Sequence, residues 1–385
     1  MTTTIDNEQK TLNVPNLRFS EFEGEWEKCK VGDFGKIITG NTPPTKDIEN
    51  YENGQYLWVS PADLGLLKSI TETKTKLSKK GFDKTRALPA GSVLVTCIGS
   101  TIGKMRMTTK ETSTNQQINA IVVNKSNNNE FVYYAVQSAF PKYLSSIAVQ
   151  AVPIISKSSF ELLPNYRPSI QEQEKIGRLF ALLDERIATQ SKVIEDLKKL
   201  KSAISKKLLD NDRWTTYKIQ DIAKIGRGRV ICSAEIERQK HPLYPVYSSQ
   251  TFNDGIMGYL DDYMFDGEYI TWTTDGANAG TVFYRKGKFN CTNVCGTLKI
   301  QPKYDCYFVS LVLQQATQKY VSFNLANPKL MNNIMTSIKI KMSDIEMQKQ
   351  LSKIFQTLDS CLLVHQRTCD MYSREKQYLL CQMFI

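Results

Sequence analysis

The chain has 385 residues, of which 41% are hydrophobic and 23% charged, with a net charge of +11. That length suggests two or three domains with full apolar cores, and no run of 18 apolar residues offers a membrane span. The opening MTTTIDNEQK has no signal-peptide pattern, and nine cysteines without paired spacing fit reduced thiols in a cytoplasm.

The charge is unevenly placed. Residues 1–168 carry 20 Lys/Arg against 16 Asp/Glu and residues 213–342 carry 16 against 10, giving +4 and +6. Residues 169–212 carry 9 against 8 and residues 343–385 carry 5 against 5, giving +1 and zero. An excess confined to two non-helical blocks suits two polyanion-binding domains on helical connectors. The alternative is a basic protein that is merely well solvated.

In chain order, residues 1–20 are polar and expected to be mobile, with ordered structure from near Trp26. Short β-rich runs bounded by Gly and Pro predict strands at 55–59, 92–96 and 118–123, with a turn at 88–91. A short helix is expected over 129–137. Residues 153–168 read as an ordered connector with extended character. A long helix follows over 169–209. At Trp214 the chain starts again: WTTYKIQDIAKIGRG repeats WEKCKVGDFGKIITG from Trp26, with six identities in fifteen positions at an offset of 188. Strands at 269–273, 281–284, 289–292 and 297–300, a helix over 305–318 and a connector over 326–343 complete the second copy.

The long helix carries apolar residues in steps of four and three at Ile176, Phe180, Leu183, Ile187, Ile194, Leu197, Ile204 and Leu208, interrupted at Gln190 and Lys201. The same phase recurs 175 residues later in Leu351, Phe355, Leu358, Leu362, Cys369, Tyr372, Leu379 and Met383, interrupted at His365 and Lys376. Matching patterns with matching defects predict two paired coiled-coil helices. Glu172, Glu174, Asp344 and Glu346 suit the helix starts. Lys198, Lys199, Lys201, Lys206 and Lys207 suit a helix end, or a phosphate. The predicted fold is therefore α+β: two tandem globular domains (1–168 and 212–342) separated by two long antiparallel coiled-coil helices (169–211 and 343–385), a pseudo-twofold internal duplication.

The parts of an enzyme are missing. Asn41-Thr-Pro-Pro44 resembles a methyltransferase loop but lacks its aromatic, and reads as a turn. Gly99 to Lys104 fails phosphate-loop spacing and reads as a tight turn between strands, as does the Lys-free Thr274–Gly280. Cys291, Cys295 and Cys306 cluster with neither His241 nor His365 nearby in sequence, so buried thiols are favoured over a zinc site. No catalytic residue, metal or cofactor is expected.

If the polyanion is DNA, other residues are needed: Arg, Lys, Asn and Gln for base edges, with Lys, Arg, Ser and Thr for phosphates. The first block offers Lys68, Lys74, Lys76, Lys79, Lys80, Lys84 and Arg86, with a solvated face as the alternative, and Lys104 and Arg106 after the Gly-rich turn. The second offers Arg227 and Arg229 after the first strand, Tyr247, Ser248, Ser249, Gln250, Thr273, Thr274, Asn278, Arg285, Lys286 and Lys288. Tyr247 equally suits the edge of a core.

The duplicated plan, the central helix ending in KLKSAISKKLL and the terminal one ending in REKQYLLCQMFI resemble the specificity subunit of a type I restriction–modification system. IQEQEKIGRLFALLDERI and its echo IEMQKQLSKIFQTLD are similar to that family's conserved helices, and residues 244–289 to one of its target-recognition domains. The resemblance covers the chain from about Val14. It implies a noncatalytic, sequence-specific DNA-binding subunit in bacterial cytoplasm. Such a subunit directs adenine methylation and restriction by recruiting two methyltransferase subunits and two motor–nuclease subunits onto double-stranded DNA. Docking is expected on 170–187 and 345–362, where the same surface is presented twice. A helix of about 40 residues is roughly 60 Å long, and successive major-groove faces lie roughly 34 Å apart. The expected target is bipartite and asymmetric with an unread gap. A pure scaffold and a nuclease with an unrecognised site are the rival readings.

Overall fold

The structure is a computed structural model that describes residues 13–65, 67–145, 153–209, 212–322 and 327–385. It divides into two compact units, residues 1–193 with 365–385, and residues 194–364.

The first unit is built on Val93–Thr96, whose four residues are all buried. β-branched side chains on both faces suit such a central strand. It lies in a five-stranded sheet ordered Gly35–Thr39, Ile118–Val123, Val93–Thr96, Met105–Thr108, Ser69–Ile70, antiparallel except for the last pair. A three-stranded sheet orders Lys76–Leu77, Tyr56–Val59 and Thr112–Thr114, the last two parallel. Helix Asn129–Ser145, longer than the sequence suggests, turns Phe131, Tyr134 and Phe140 inward. The unit's chain ends meet in this core: Trp26 lies 6.1 Å from Phe384, and Phe384 lies 5.7 Å from Phe180. Each fully buried ring contributes about 1.5–3 kcal/mol.

The second unit repeats the plan. Ala223–Arg227, Cys295–Ile300, Glu268–Thr273 and Val282–Lys286 form an antiparallel sheet in that order, beside a three-stranded one of Ile256–Leu260, Tyr244–Tyr247 and Asn290–Cys291. Trp272 is fully buried and donates its indole N–H to the Leu330 carbonyl at 2.9 Å. Helix Cys306–Ala316 is capped by the Asp305 carboxylate, which accepts from Phe308 N at 2.8 Å.

Each repeat's opening strand is hydrogen-bonded to its own connector. Glu27–Lys30 pairs antiparallel with Pro164–Arg167, and Thr215–Lys218 with Lys339–Met342. The connectors are ordered by these strands and by short helices at Lys157–Glu161 and Asn332–Ser337. Ala326, the first residue of the second connector, lies outside the described residues. Of the segment expected to be mobile, residues 1–12 also lie outside them, whereas 13–20 are held in place. Trp26 N donates to Asn13 O at 2.8 Å, Leu17 N to Gln382 O at 2.9 Å, and the Arg18 guanidinium grips Glu172 at 2.8 and 2.7 Å. Glu172 is thus a buried ion-pair partner as well as a first-turn acid.

The long helices are Ile170–Leu208 and Ile345–Met383, of 39 residues each; residues 210–211 at the far end of the expected helical span lie outside the described residues. Each is anchored by a buried glutamine. The Gln173 carbonyl accepts from Asn128 N at 3.1 Å and its amide donates to Pro168 O at 3.0 Å. Gln348 does the same with Asp305 N at 3.0 Å and Ser343 O at 2.7 Å.

Their apolar positions divide into two sets. In the first unit Ile176, Phe180 and Leu183, with Leu380 and Met383, belong to the domain core. In the second unit Leu351 and Phe355 do, with Ile204, Leu208 and Leu358 packed against them. The two helices pair as expected, and their first turns are in addition sunk into a domain and satisfy its core. Ile187, Ile194, Leu197, Leu362, Tyr372 and Leu379 are half-buried, and Leu197, Leu362 and Tyr372 lie between exposed neighbours, as a two-helix seam requires.

Candidate nucleic-acid interface

Both units turn the same end of their sheets into a cluster of loops. The Gly-rich turns match bond for bond. Gly99 and Gly276 have φ of 95° and 96°, and Gly103 and Gly280 have φ of 87° and 82°, which only glycine adopts without strain. Gly103 N donates to Thr96 O and Gly280 N to Thr273 O, both at 2.9 Å. Gly99 N donates to Pro153 O at 3.1 Å and Gly276 N to Pro328 O at 3.0 Å. Gly40 and Gly228 are equivalent too: an added Cβ would lie 2.2 Å from Asn115 O and 2.1 Å from Cys291 O. The scaffold is duplicated, while the side chains it carries differ.

In the second unit this end gathers most of the residues picked out from sequence. Thr292 N donates to Tyr247 O at 2.9 Å, and the Asn278 amide to Ser249 O at 3.1 Å. The Gln250 amide donates to Ile256 O at 2.6 Å. Arg227 is exposed beside Asn293, whose carbonyl accepts from its guanidinium. Thr273 and Thr274 are buried, and the Thr274 hydroxyl donates to Val294 O at 3.0 Å, so both act as framework.

In the first unit the same end holds Arg86, which donates to Thr39 O at 2.6 Å. Arg86, Lys36 and Lys157 line a groove of about 580 Å³ along the edge strand Gly35–Thr39. An edge strand guarded by cations resists pairing with another chain and suits a phosphate backbone. Lys104 is exposed after the Gly-rich turn. Residues 114–117, Thr-Asn-Gln-Gln, adjoin it, with the Thr42 hydroxyl 2.6 Å from the Gln116 amide oxygen. Asn and Gln are the side chains that match adenine edges, and these amides carry no sequence signal beside the runs of lysine.

Other candidates are engaged inside their units. The Lys68 ammonium lies 2.6 Å from Glu130 and over the Tyr134 ring. Lys76 pairs with Glu72, Lys79 with Asp83, and Lys80 and Lys84 with Asp47. Much of this run is a solvated, self-paired face; Lys74 is exposed within it. Arg106 is half-buried near Tyr133 and donates to Met105 O. Arg229 forms a two-bond pair with Glu235, which holds that carboxyl below its usual range. Lys286 pairs with Glu268 at 3.3 Å, and Lys288 sits 4.5 Å over the Tyr263 ring. Arg285 is buried, its guanidinium 3.6 Å from the centre of the Tyr247 ring, and it bonds Asp254 at 2.6 Å. Ser248 N closes the same loop on Gly255 O at 2.8 Å.

Cys291, Cys295 and Cys306 are buried thiols; burial pushes all three up, Cys306 to about 12. Among the described residues no three His, Cys, Asp or Glu side chains gather as a metal site, and no helix is long and apolar enough to cross a membrane.

Two α+β units on one scaffold, carrying different polar loops and linked by two long helices of one pattern, define a tandem recognition protein. The family model described as a type I restriction modification DNA specificity domain matches residues 23–199 and again 211–369. A Mycoplasma pneumoniae protein named as a type I specificity subunit is 36% identical over 230 residues, 57% of this chain and 93% of that one. The specificity subunit of the type I restriction enzyme MpnII, from the same organism, is 39% identical over 178 residues, 46% of this chain and 53% of that one. The solved S subunit of a type I restriction–modification system from M. genitalium matches in fold with a TM-score of 0.74 at 17% identity, covering 97% of this chain and 99% of that one. The chain belongs to the type I restriction–modification specificity family, whose work is DNA-sequence recognition.

Proposed function

We propose that each unit reads one half of a bipartite, asymmetric DNA target and that the two long helices set the unread gap. The chain catalyses neither methylation nor restriction. It directs adenine methylation in the cytoplasm by docking two methyltransferase subunits on residues 170–187 and 345–362, and restriction with two motor–nuclease subunits. The observation that carries this reading is the duplicated loop scaffold with unlike side chains: equal frames suit equal DNA geometry, and unlike loops suit unlike half-sites.

The test is selection of duplexes from a random pool by the purified full chain with its methyltransferase partner. The expected product is a split motif with two different halves at a fixed spacing. Salt-dependent binding without a motif would make the chain a scaffold.

A further inference from the structure

We propose that Phe252 is a specificity-determining residue that reads the 5-methyl group of one thymine in the second unit's half-site. This rests on the reading of the chain as a DNA-recognition subunit.

Phe252 is 83% exposed, more than any other large apolar side chain among the described residues. Solvation does not explain it, because an exposed ring gains nothing in water. The loop that carries it is firmly built. Asn253, Asp254 and Gly255 follow with φ of 49°, 54° and 82°, three successive left-handed residues of which two have side chains. Such a turn persists only where the surroundings over-determine it.

Arg285 does this. It is 4% exposed and packed between the Tyr247 ring at 3.6 Å and the Phe283 ring at 4.4 Å. It donates to the Asp254 carboxylate at 2.6 Å and to the Asp254 carbonyl at 2.8 Å. The Gln250 amide ties the loop to Ile256 O at 2.6 Å. Arg285, a candidate DNA contact from sequence, instead turns both terminal nitrogens of its buried guanidinium to bracing the turn that holds Phe252 out.

Among the described residues the first unit lacks this feature. There Tyr56–Val59, which like Tyr244–Tyr247 is the middle strand of a three-stranded sheet, runs into Ser60. Ser60 is closed on Asp63 at 2.9 Å, and no aromatic stands at the tip. A device found in one unit serves what is particular to that unit.

The chemistry selects the ligand. Phe252 is a single apolar group among Ser249, Gln250, Thr251, Asn253 and Asn278, at the loop end of a block with net charge +6. Base edges in the major groove present hydrogen-bonding groups and one apolar group, the thymine methyl.

The test uses the full chain and the duplex it selects from a random pool, with each thymine replaced in turn by deoxyuridine, which lacks only the methyl. One replacement should weaken the wild-type chain about fourfold and leave Phe252→Ala unaffected. Phe252→Ala should select a motif degenerate at that position alone, with an unchanged salt slope. Deoxyuridine without effect at every position overturns the assignment. So does 2-aminopurine fluorescence that rises beside this position with the wild-type chain only, because the ring then unstacks bases as a wedge. A motif that Phe252→Ala selects unchanged overturns the Phe252 assignment alone, whereas a wild-type chain that selects no motif overturns the recognition reading with it.

Discussion

The Lys376 ammonium lies 2.7 Å from the Asp184 carboxylate, across the two long helices within the first unit, with both side chains largely buried. Tyr134 completes the group by donating its hydroxyl to Asp184. In the second unit Lys201 bonds Asp359, and Tyr307 donates to the same carboxylate at 2.6 Å. Asp359 follows Asp184 by 175 residues and Lys376 follows Lys201 by 175, the interval of the helix repeat. Each group ties a domain helix to the helical pair. Burial first, and then the neighbouring carboxylate, pushes both tyrosine hydroxyls up, so they remain donors.

Asp184→Ala should destabilise the first unit by about 2 kcal/mol, because it leaves a lysine and a tyrosine without their shared acceptor. Asp359→Ala should do the same to the second. Calorimetry of the full chain checks this: each substitution lowers its own transition. A single substitution that lowered both equally would contradict the assignment of one group to each unit.

Gly40→Ala and Gly228→Ala should each cost about 1–3 kcal/mol. The added methyl meets backbone carbonyl oxygens at 2.2 and 2.1 Å, with the Thr114 hydroxyl beside them at Gly40, and backbone cannot turn aside as a flexible side chain can. Chemical denaturation of each variant reads this directly, and a neutral result at both positions would remove close strand approach as the reason for the repeated glycine.

Lys104 and Arg285 should separate cleanly. Lys104 is exposed, so Lys104→Ala should leave stability unchanged, weaken binding to all DNA sequences alike and reduce the salt slope by about one. Arg285→Met should lower the second unit's stability, since it removes both bonds to Asp254, and should leave the salt slope alone. Salt titrations of binding together with thermal melts distinguish the two.

The fold was largely legible because its signals are local or repeated. The strand at Ile118–Val123 lies where its β-branched run placed it, and the helices Ile170–Leu208 and Ile345–Met383 lie where heptads and first-turn acids placed them. The interruptions were visible as well: Gln190 and His365 occupy equal places in the two repeats, and the Gln190 amide oxygen lies 2.7 Å from His365 Nδ1. What the sequence hid was side-chain direction. Ile176 and Phe355 fit a heptad as well as a domain core, and only the packed structure assigns them to cores. Lys68 and Arg285 read as free cations because their partners, Glu130 and Asp254, are 62 and 31 residues away. Phe252 went unnoticed because exposure is a tertiary property, and a lone Phe in a chain of 16 phenylalanines carries no sequence signal.

Whether the helices set the gap in a split target is tested by inserting one heptad into both helices and repeating the selection from a random pool. Seven residues lengthen a helix by about 10.5 Å, or roughly three base pairs at 3.4 Å each. The expected product is the same two half-motifs with a gap about three base pairs longer. Intact half-motifs at the original spacing, with binding retained, would contradict that role of the helices.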